Sequence, residues 1–172
     1  MERSTVFELK HLTRNEFVTN ASSDSDGREA SGFISLNCSH LVAVRALLRR
    51  NGLPFEDCDQ HIDDFIGVTE AKGLIAIGGI EVLGDVALLR SVAVDQSFQG
   101  RGLGRAIVDR LHELARSRGL LELYLLTESA EAYFLAYGYE NRAREDLPIE
   151  VKSTEQFRAL CPASAQAMRF AL

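Results

Sequence analysis

The sequence predicts an α/β (α+β) fold, a mixed and mostly antiparallel sheet flanked by helices, and three observations carry that reading. Extended segments follow one another at Phe65 to Glu70, Leu74 to Val82 and Val86 to Val94, with short breaks at Ala71-Lys72-Gly73 and Gly84-Asp85, the pattern of an antiparallel meander. Directly after a glycine-rich turn, Leu103, Ile107, Leu111 and Leu114 recur on one face of a helix, with Arg116 and Arg118 in its last turn and Gly119 beyond. Leu120 to Leu126 is then a nearly continuous apolar run of strand length, and the strand–helix–strand order sets it parallel to the strand before the helix.

The remaining elements follow from local pattern. Leu41, Val44, Leu47 and Leu48 mark an amphipathic helix started at Cys38-Ser39 and stopped by Asn51-Gly52 and Pro54. Ala130, Tyr133, Phe134 and Tyr137 form a short helical stripe capped by Ser129 and closed by Gly138, and Tyr139 to Asn141 begins another strand. Ser153 and Gln156 fit a capping box for a last short helix ended by Pro162, after which Met168, Phe170 and Leu172 alternate as a closing strand should. The first thirty or so residues lack periodicity and contain the turn-prone run Ser22-Ser23-Asp24-Ser25-Asp26-Gly27. They divide the chain into an extension at 1–31, mobile or adding a strand, and one domain at 32–172.

Bulk properties narrow the function. A chain of 172 residues, 46% hydrophobic and 26% charged, suits one soluble domain. A formal net charge of −6 leaves no broad basic surface for nucleic acid. The apolar stretches are broken well before the roughly 20 residues of a membrane span, and no signal-type apolar core opens the chain, so the expected location is the cytoplasm. Cys38, Cys58 and Cys161 are odd in number and widely spaced, and are read as reduced thiols. Asp57-Cys58-Asp59-Gln60-His61 with Asp63-Asp64 resembles a metal cluster, but no helical spacing unites these groups and no metal is expected. His11, His40 and His112 are isolated and expected on the surface.

The informative stretch is Ser91-Val92-Ala93-Val94-Asp95-Gln96-Ser97-Phe98-Gln99-Gly100-Arg101-Gly102-Leu103-Gly104-Arg105. A strand delivers the chain to a glycine-rich loop that opens a helix, whose first amides have no internal partners. Glycines at 100, 102 and 104 let backbone approach a pyrophosphate, and the helix dipole favours its charge. A tight turn without a ligand would use the same glycines. A dinucleotide fold needs its glycines after the first strand of a βαβ unit, and a Walker loop needs Gly-Lys-Ser/Thr; this chain offers neither.

In these residues the chain resembles the GNAT superfamily of acetyl-CoA-dependent N-acetyltransferases. The signature Gln/Arg-x-x-Gly-x-Gly/Ala stands as Gln99-Gly100-Arg101-Gly102-Leu103-Gly104 after Val92-Ala93-Val94, and the likeness continues through Leu123-Tyr124-Leu125-Leu126 and Ala130 to Tyr139. Within the superfamily, Leu88 to Val94, Leu125-Leu126-Thr127, Tyr133-Phe134 and Phe157 to Ala165 are similar to the arsenic-resistance N-acetyltransferases. That likeness implies acetylation of the amine of an amino-acid-like toxicant such as arsinothricin, a glutamate analogue.

The resemblance also implies a splay between the two central strands and a site for acetyl-CoA built from Val92, Ala93, Val94, Gln99, Gly100, Arg101, Gly102, Leu103, Gly104, Arg105 and Phe134. A backbone N–H near Val92 would meet the oxyanion. Candidate catalytic residues are Glu81, Arg90, Ser91 and Tyr133. A two-residue turn at Gly84-Asp85 sets Glu81 opposite Leu88 and diagonal to Arg90, where it serves as general base or forms a plain ion pair. Arg90 could instead fork a substrate carboxylate. The superfamily's usual tyrosine acid falls on Phe134, leaving Tyr133 and Tyr137 as neighbours that also suit core packing. Expected partners are a small-molecule amine and no nucleic acid or membrane, and a homodimer is open. The rival readings are a non-catalytic acyl-CoA-binding module and a protein or peptide N-acetyltransferase.

Overall fold

A computed structural model of the chain describes residues 32–71 and 73–172; the expectations for residues 1–31, including His11, lie outside them. Among the described residues seven strands form one sheet in the order β1-β2-β3-β4-β5-β7-β6. These are β1 (Phe33–Ser35), β2 (Phe65–Glu70), β3 (Gly73–Leu83), β4 (Val86–Val94), β5 (Glu122–Thr127), β6 (Glu140–Arg142) and β7 (Gln166–Ala171). Every pair is antiparallel except β4 with β5. The meander and the parallel crossover therefore stand as predicted, whereas β1 has no counterpart among the predicted strands.

Helices α1 (Leu41–Arg50) and α2 (Leu103–Ser117) cover different cores. Val44, Leu47 and Leu48 of α1 pack with Phe65, Ile77 and Ala93, while Ile107, Val108, Leu111 and Ala115 of α2 pack with Ala76, Ile80, Ala87 and Leu89. Alternation along β3 explains the division, since successive side chains point to opposite faces. Gly78 lets α2 lie close: a Cβ there would come within 2.5 Å of Ile107 and 2.9 Å of Leu111.

The short C-terminal helices are α3 (Glu131–Tyr137) and α4 (Ile149–Lys152). Three local expectations are corrected. Asn37 caps the turn ahead of α1, its side chain accepting from Ser39 N. Ala130 and not Ser129 stands at the N-cap of α3; no side chain caps the helix, and the Ala130 N–H donates to Thr127 Oγ1. Ser153 closes α4, and Gln156 begins a π-type turn reaching Leu160, so they are not one capping box. Gln156 is instead buried, with its amide turned to other work.

His112 overturns the surface expectation most clearly. It is 3% exposed, hydrogen-bonded through Nε2 to Tyr139 Oη at 2.8 Å, and lies 4.4 Å from the Phe170 ring. Burial, helped by the Arg116 charge, pushes its pKa down to about 4, so it is neutral at pH 7. In sequence its charged neighbours conceal it, because they occupy the other faces of α2.

Candidate functional site: a splayed strand and a glycine loop

β4 and β5 pair only over Val86 to Leu88 against Glu122 to Tyr124. From Leu89 onward β4 has no strand partner on that side among the described residues, while β5 continues against β7 as far as Thr127. The implied splay is therefore present, and it opens an edge of unpaired backbone groups.

The divergence coincides with a bulge. Pairing between β3 and β4 shifts from Gly79↔Arg90 to Ile77↔Ala93, so Ser91 and Val92 together oppose Gly78. Ser91 has φ +58°, the one positive φ at a non-glycine residue among those described. The extra residue resets the alternation: Leu89 packs on the α2 side and Arg90 towards Phe65, yet beyond the bulge Val92 and Val94 again pack on the α2 side and Ala93 on the α1 side. Such a left-handed non-glycine residue is strained, and strain of this kind clusters at functional sites.

After β4, Asp95 caps a short turn by accepting from Ser97 N, and Gln99 donates through Nε2 to Val94 O at 3.2 Å. Gly100 and Gly102 take φ +76° and +80°, a region other residues enter at a cost, and a Cβ on either would meet nothing within 4 Å. The backbone faces open space at the N-terminus of a 15-residue helix. At Gly104 a Cβ would sit 3.7 Å from Val94 Cγ2 and 4.0 Å from Tyr133 Oη, filling the groove between them. This cradle fits a diphosphate. Arg101 reaches back over the Phe98 ring and donates to Ser97 O, and Arg105 lies over the Tyr137 ring, so two cations flank the loop.

Tyr133 Oη thus borders the loop, and burial pushes its pKa up to about 12, keeping it protonated. Phe134 is 7% exposed, in the core against Tyr139 and edge-on to the Tyr133 ring. Leu103 is half-buried on α2.

A cavity of about 70 Å³ lies at the splay, lined by Leu53, Pro54, Leu126, Arg90, Ser91, Gln156 and Cys161 among others. The expected register holds, with Glu81 opposite Leu88 and its Oε2 3.3 Å from Arg90 Nη1. Sequence reasoning missed Asp57, which faces Arg90 end-on with both oxygens, Oδ2 2.7 Å from Nη1 and Oδ1 close against Nη2. Burial pushes the Asp57 carboxyl up, but the Arg90 hydrogen bonds and charge outweigh it and hold it below the ordinary value. The end-on fork expected for a substrate carboxylate is therefore already taken.

The loop expected to hold no united cluster brings Asp57 and His61 together with Glu81, their ligand atoms all within 4.8 Å. Arg90 shares the two carboxylates, and His61 Nε2 stands 3.7 Å from Glu81 Oε2. Of the other aspartates of the loop, Asp59 pairs with Arg45 and Asp64 with Arg118. All three cysteines are free thiols.

A mixed sheet whose single parallel pair splays beside a bulge, followed by a left-handed glycine loop that opens a helix, is the GNAT fold. Residues 61–141 match the model of the acetyltransferase (GNAT) domain. Among curated proteins it is 39% identical over 89 residues to an amino-acid acetyltransferase of Mycobacterium tuberculosis, covering 51% of this chain and 48% of that protein. It is 32% identical over 118 residues to GCN5-related N-acetyltransferase 1, chloroplastic, of Arabidopsis thaliana, covering 62% and 59%. It is 33% identical over 69 residues to the ribosomal protein bS18-alanine N-acetyltransferase of Salmonella typhimurium, covering 40% and 47%. The matches thus span about half the length of these relatives. In fold it superposes on N-acetylglutamate synthase of Neisseria gonorrhoeae complexed with coenzyme A and N-acetyl-glutamate, with TM-score 0.71, 16% identity, and 84% of this chain against 35% of that one.

Proposed function

We propose that this chain is a cytoplasmic acetyl-CoA-dependent N-acetyltransferase that acts on the amine of a small molecule. One observation carries the reading: the open, left-handed glycine loop at the start of α2 follows a bulged strand that has lost its parallel neighbour. When bound, acetyl-CoA supplies an activated acetyl thioester. Backbone amides from Gly100 to Gly104, with Arg101 and Arg105 beside them, would hold its diphosphate, and the free edge of β4 would pair with its amide-bearing arm. Backbone N–H groups at the bulge of Ser91 and Val92 would stabilise negative charge on the acetyl oxygen.

An attacking amine must first lose its proton. Glu81 is the proposed acceptor, and His61, 23% exposed at its side chain, gives the proton a route to solvent. Tyr133, protonated and bordering the loop, is the proposed donor to the departing thiolate.

The likeness to an amino-acid acetyltransferase supports an amino-acid-like acceptor, and a glutamate-like toxicant such as arsinothricin is the narrowest form of that reading. The likeness to an enzyme named for the alanine of a ribosomal protein supports a peptide N-terminus as the second reading. A panel of amino acids, arsinothricin, polyamines and peptides, followed by thiol release, tests both. Turnover of peptides alone overturns the small-molecule reading, and binding of acetyl-CoA without turnover of any amine leaves only an acyl-CoA-binding module.

A further inference from the structure

The cavity at the splay and the glycine loop lie on opposite faces of the sheet, and strand alternation fixes that placement. Val92, Val94 and Leu103 pack on the α2 core, as do Leu123 and Leu125 of β5. Leu126, one residue on, packs instead on the core that holds Leu88, Tyr124 and Val151, and Leu53 packs on the core that holds Val44 and Ala93. A coenzyme cradled at the start of α2 therefore reaches the splay from one face and leaves the cavity on the other face for the amine.

The walls of the cavity set what can enter it. Leu53 and Pro54 line it from the loop after α1, and Leu126 and Cys161 from the end of β5 and the C-terminal segment. Both leucines are half-buried, so a ligand's carbon atoms would cover apolar surface there. The polar side chains of the C-terminal wall are turned to one another: Cys161 donates to Gln156 Oε1 at 3.3 Å, and Gln156 donates to Asp57 Oδ1 at 3.4 Å. An apolar cavity of roughly 150 Å³ takes a benzene ring. The space of about 70 Å³ here suits a group half that size, between a methyl and an isopropyl group.

We infer that this cavity receives the carbon group beside the acceptor's amine and selects for compactness, admitting a methyl to isopropyl group and refusing an aromatic ring, with Leu53 and Leu126 setting the limit. The inference rests on the transferase reading and deepens it, and it applies alike to a free amino acid and to the first residue of a peptide. One methylene in an apolar pocket changes kcat/KM by roughly 10–200-fold, so a ring several atoms too large loses at least tenfold.

The test measures kcat/KM of the full chain with acetyl-CoA on L-alanine, L-valine and L-phenylalanine, each free and as the first residue of an otherwise identical tripeptide. L-Glutamate and spermidine serve as longer amines. Alanine or valine is expected to exceed phenylalanine at least tenfold in every form that turns over. A smaller ratio overturns the inference, as does turnover confined to glutamate or spermidine. Leu53→Ala and Leu126→Ala each widen the cavity, and at least one is expected to raise the use of phenylalanine relative to alanine at least fivefold. A purely structural role would lower both rates together and leave that ratio in place, so a smaller change in both variants overturns the role of the leucines. Should a thermal melt show that neither variant folds, Leu53→Val and Leu126→Val are read in the same way for a twofold change. Turnover without the size preference sinks this inference alone. Failure of acetyl-CoA to bind, or binding without turnover of any amine, sinks the transferase reading and this inference with it.

Discussion

The glycine loop at the start of α2 and the Arg90 cluster on the α1 face of β4 lie close in sequence, yet they are built by opposite means. The loop is exposed backbone with left-handed glycines at the mouth of a helix. The cluster is buried side chains gathered from three distant segments, almost every polar atom of which is paired. A loop of the first kind binds through what it leaves open, and its sequence can drift little without closing it. A cluster of the second kind fixes geometry and charge.

Substitutions can break this contrast, and the largest effect is expected at Arg90. Removing it as Arg90→Met leaves Asp57 and Glu81 buried without their cation, and urea unfolding is expected to show a loss of about 3–5 kcal/mol. A loss under 1 kcal/mol would mean that water or rearrangement satisfies the carboxylates, and the cluster would then be no rigid element of the fold.

At the loop the expected pattern is reversed. Gly102→Val forces a β-branched residue to φ +80° and fills the open groove, so acetyl-CoA affinity is expected to fall about a hundredfold or more, close to 2.7 kcal/mol. The melting temperature should move only by the local strain. If binding survives, the diphosphate sits elsewhere.

A third expectation concerns pH. His112 has its pKa depressed to about 4 in the fold against 6.5 when unfolded, so the unfolded chain binds more protons between those values and stability falls as pH is lowered through 6.5 towards 4. With partial solvent screening the loss between pH 7 and pH 5 is roughly 1–2 kcal/mol. His112→Gln should flatten that limb, and an unchanged slope would assign it to other groups. Smallest of all, Ser91→Gly relieves the positive φ and is expected to change stability by about 0.5 kcal/mol, while slowing turnover by loosening the bulge. Unaltered turnover would remove the bulge from the mechanism.

The same contrast explains what the sequence revealed. The meander, α2 and its glycine loop, and the parallel return of β5 are written in contiguous periodicity and turn chemistry, which neighbours in the chain determine. The pairing of Glu81 with Leu88 was legible because a two-residue turn dictates register. Asp57 joins Arg90 across 33 residues and Gln156 joins Asp57 across 99, and no local period encodes such encounters. The bulge left a faint mark: two polar residues, Arg90-Ser91, interrupt an otherwise apolar strand, and the side chains on either side pack on the same face out of step. Polar residues at the centre of a buried strand are costly unless paired, and so they pointed to a site whose partners only folding could supply.

Titrating the full chain with acetyl-CoA in a calorimeter tests the central claim most directly. The open glycine loop requires one-to-one binding that weakens sharply in Gly102→Val. Absence of heat with both acetyl-CoA and free coenzyme A, in protein that melts cooperatively, would contradict it.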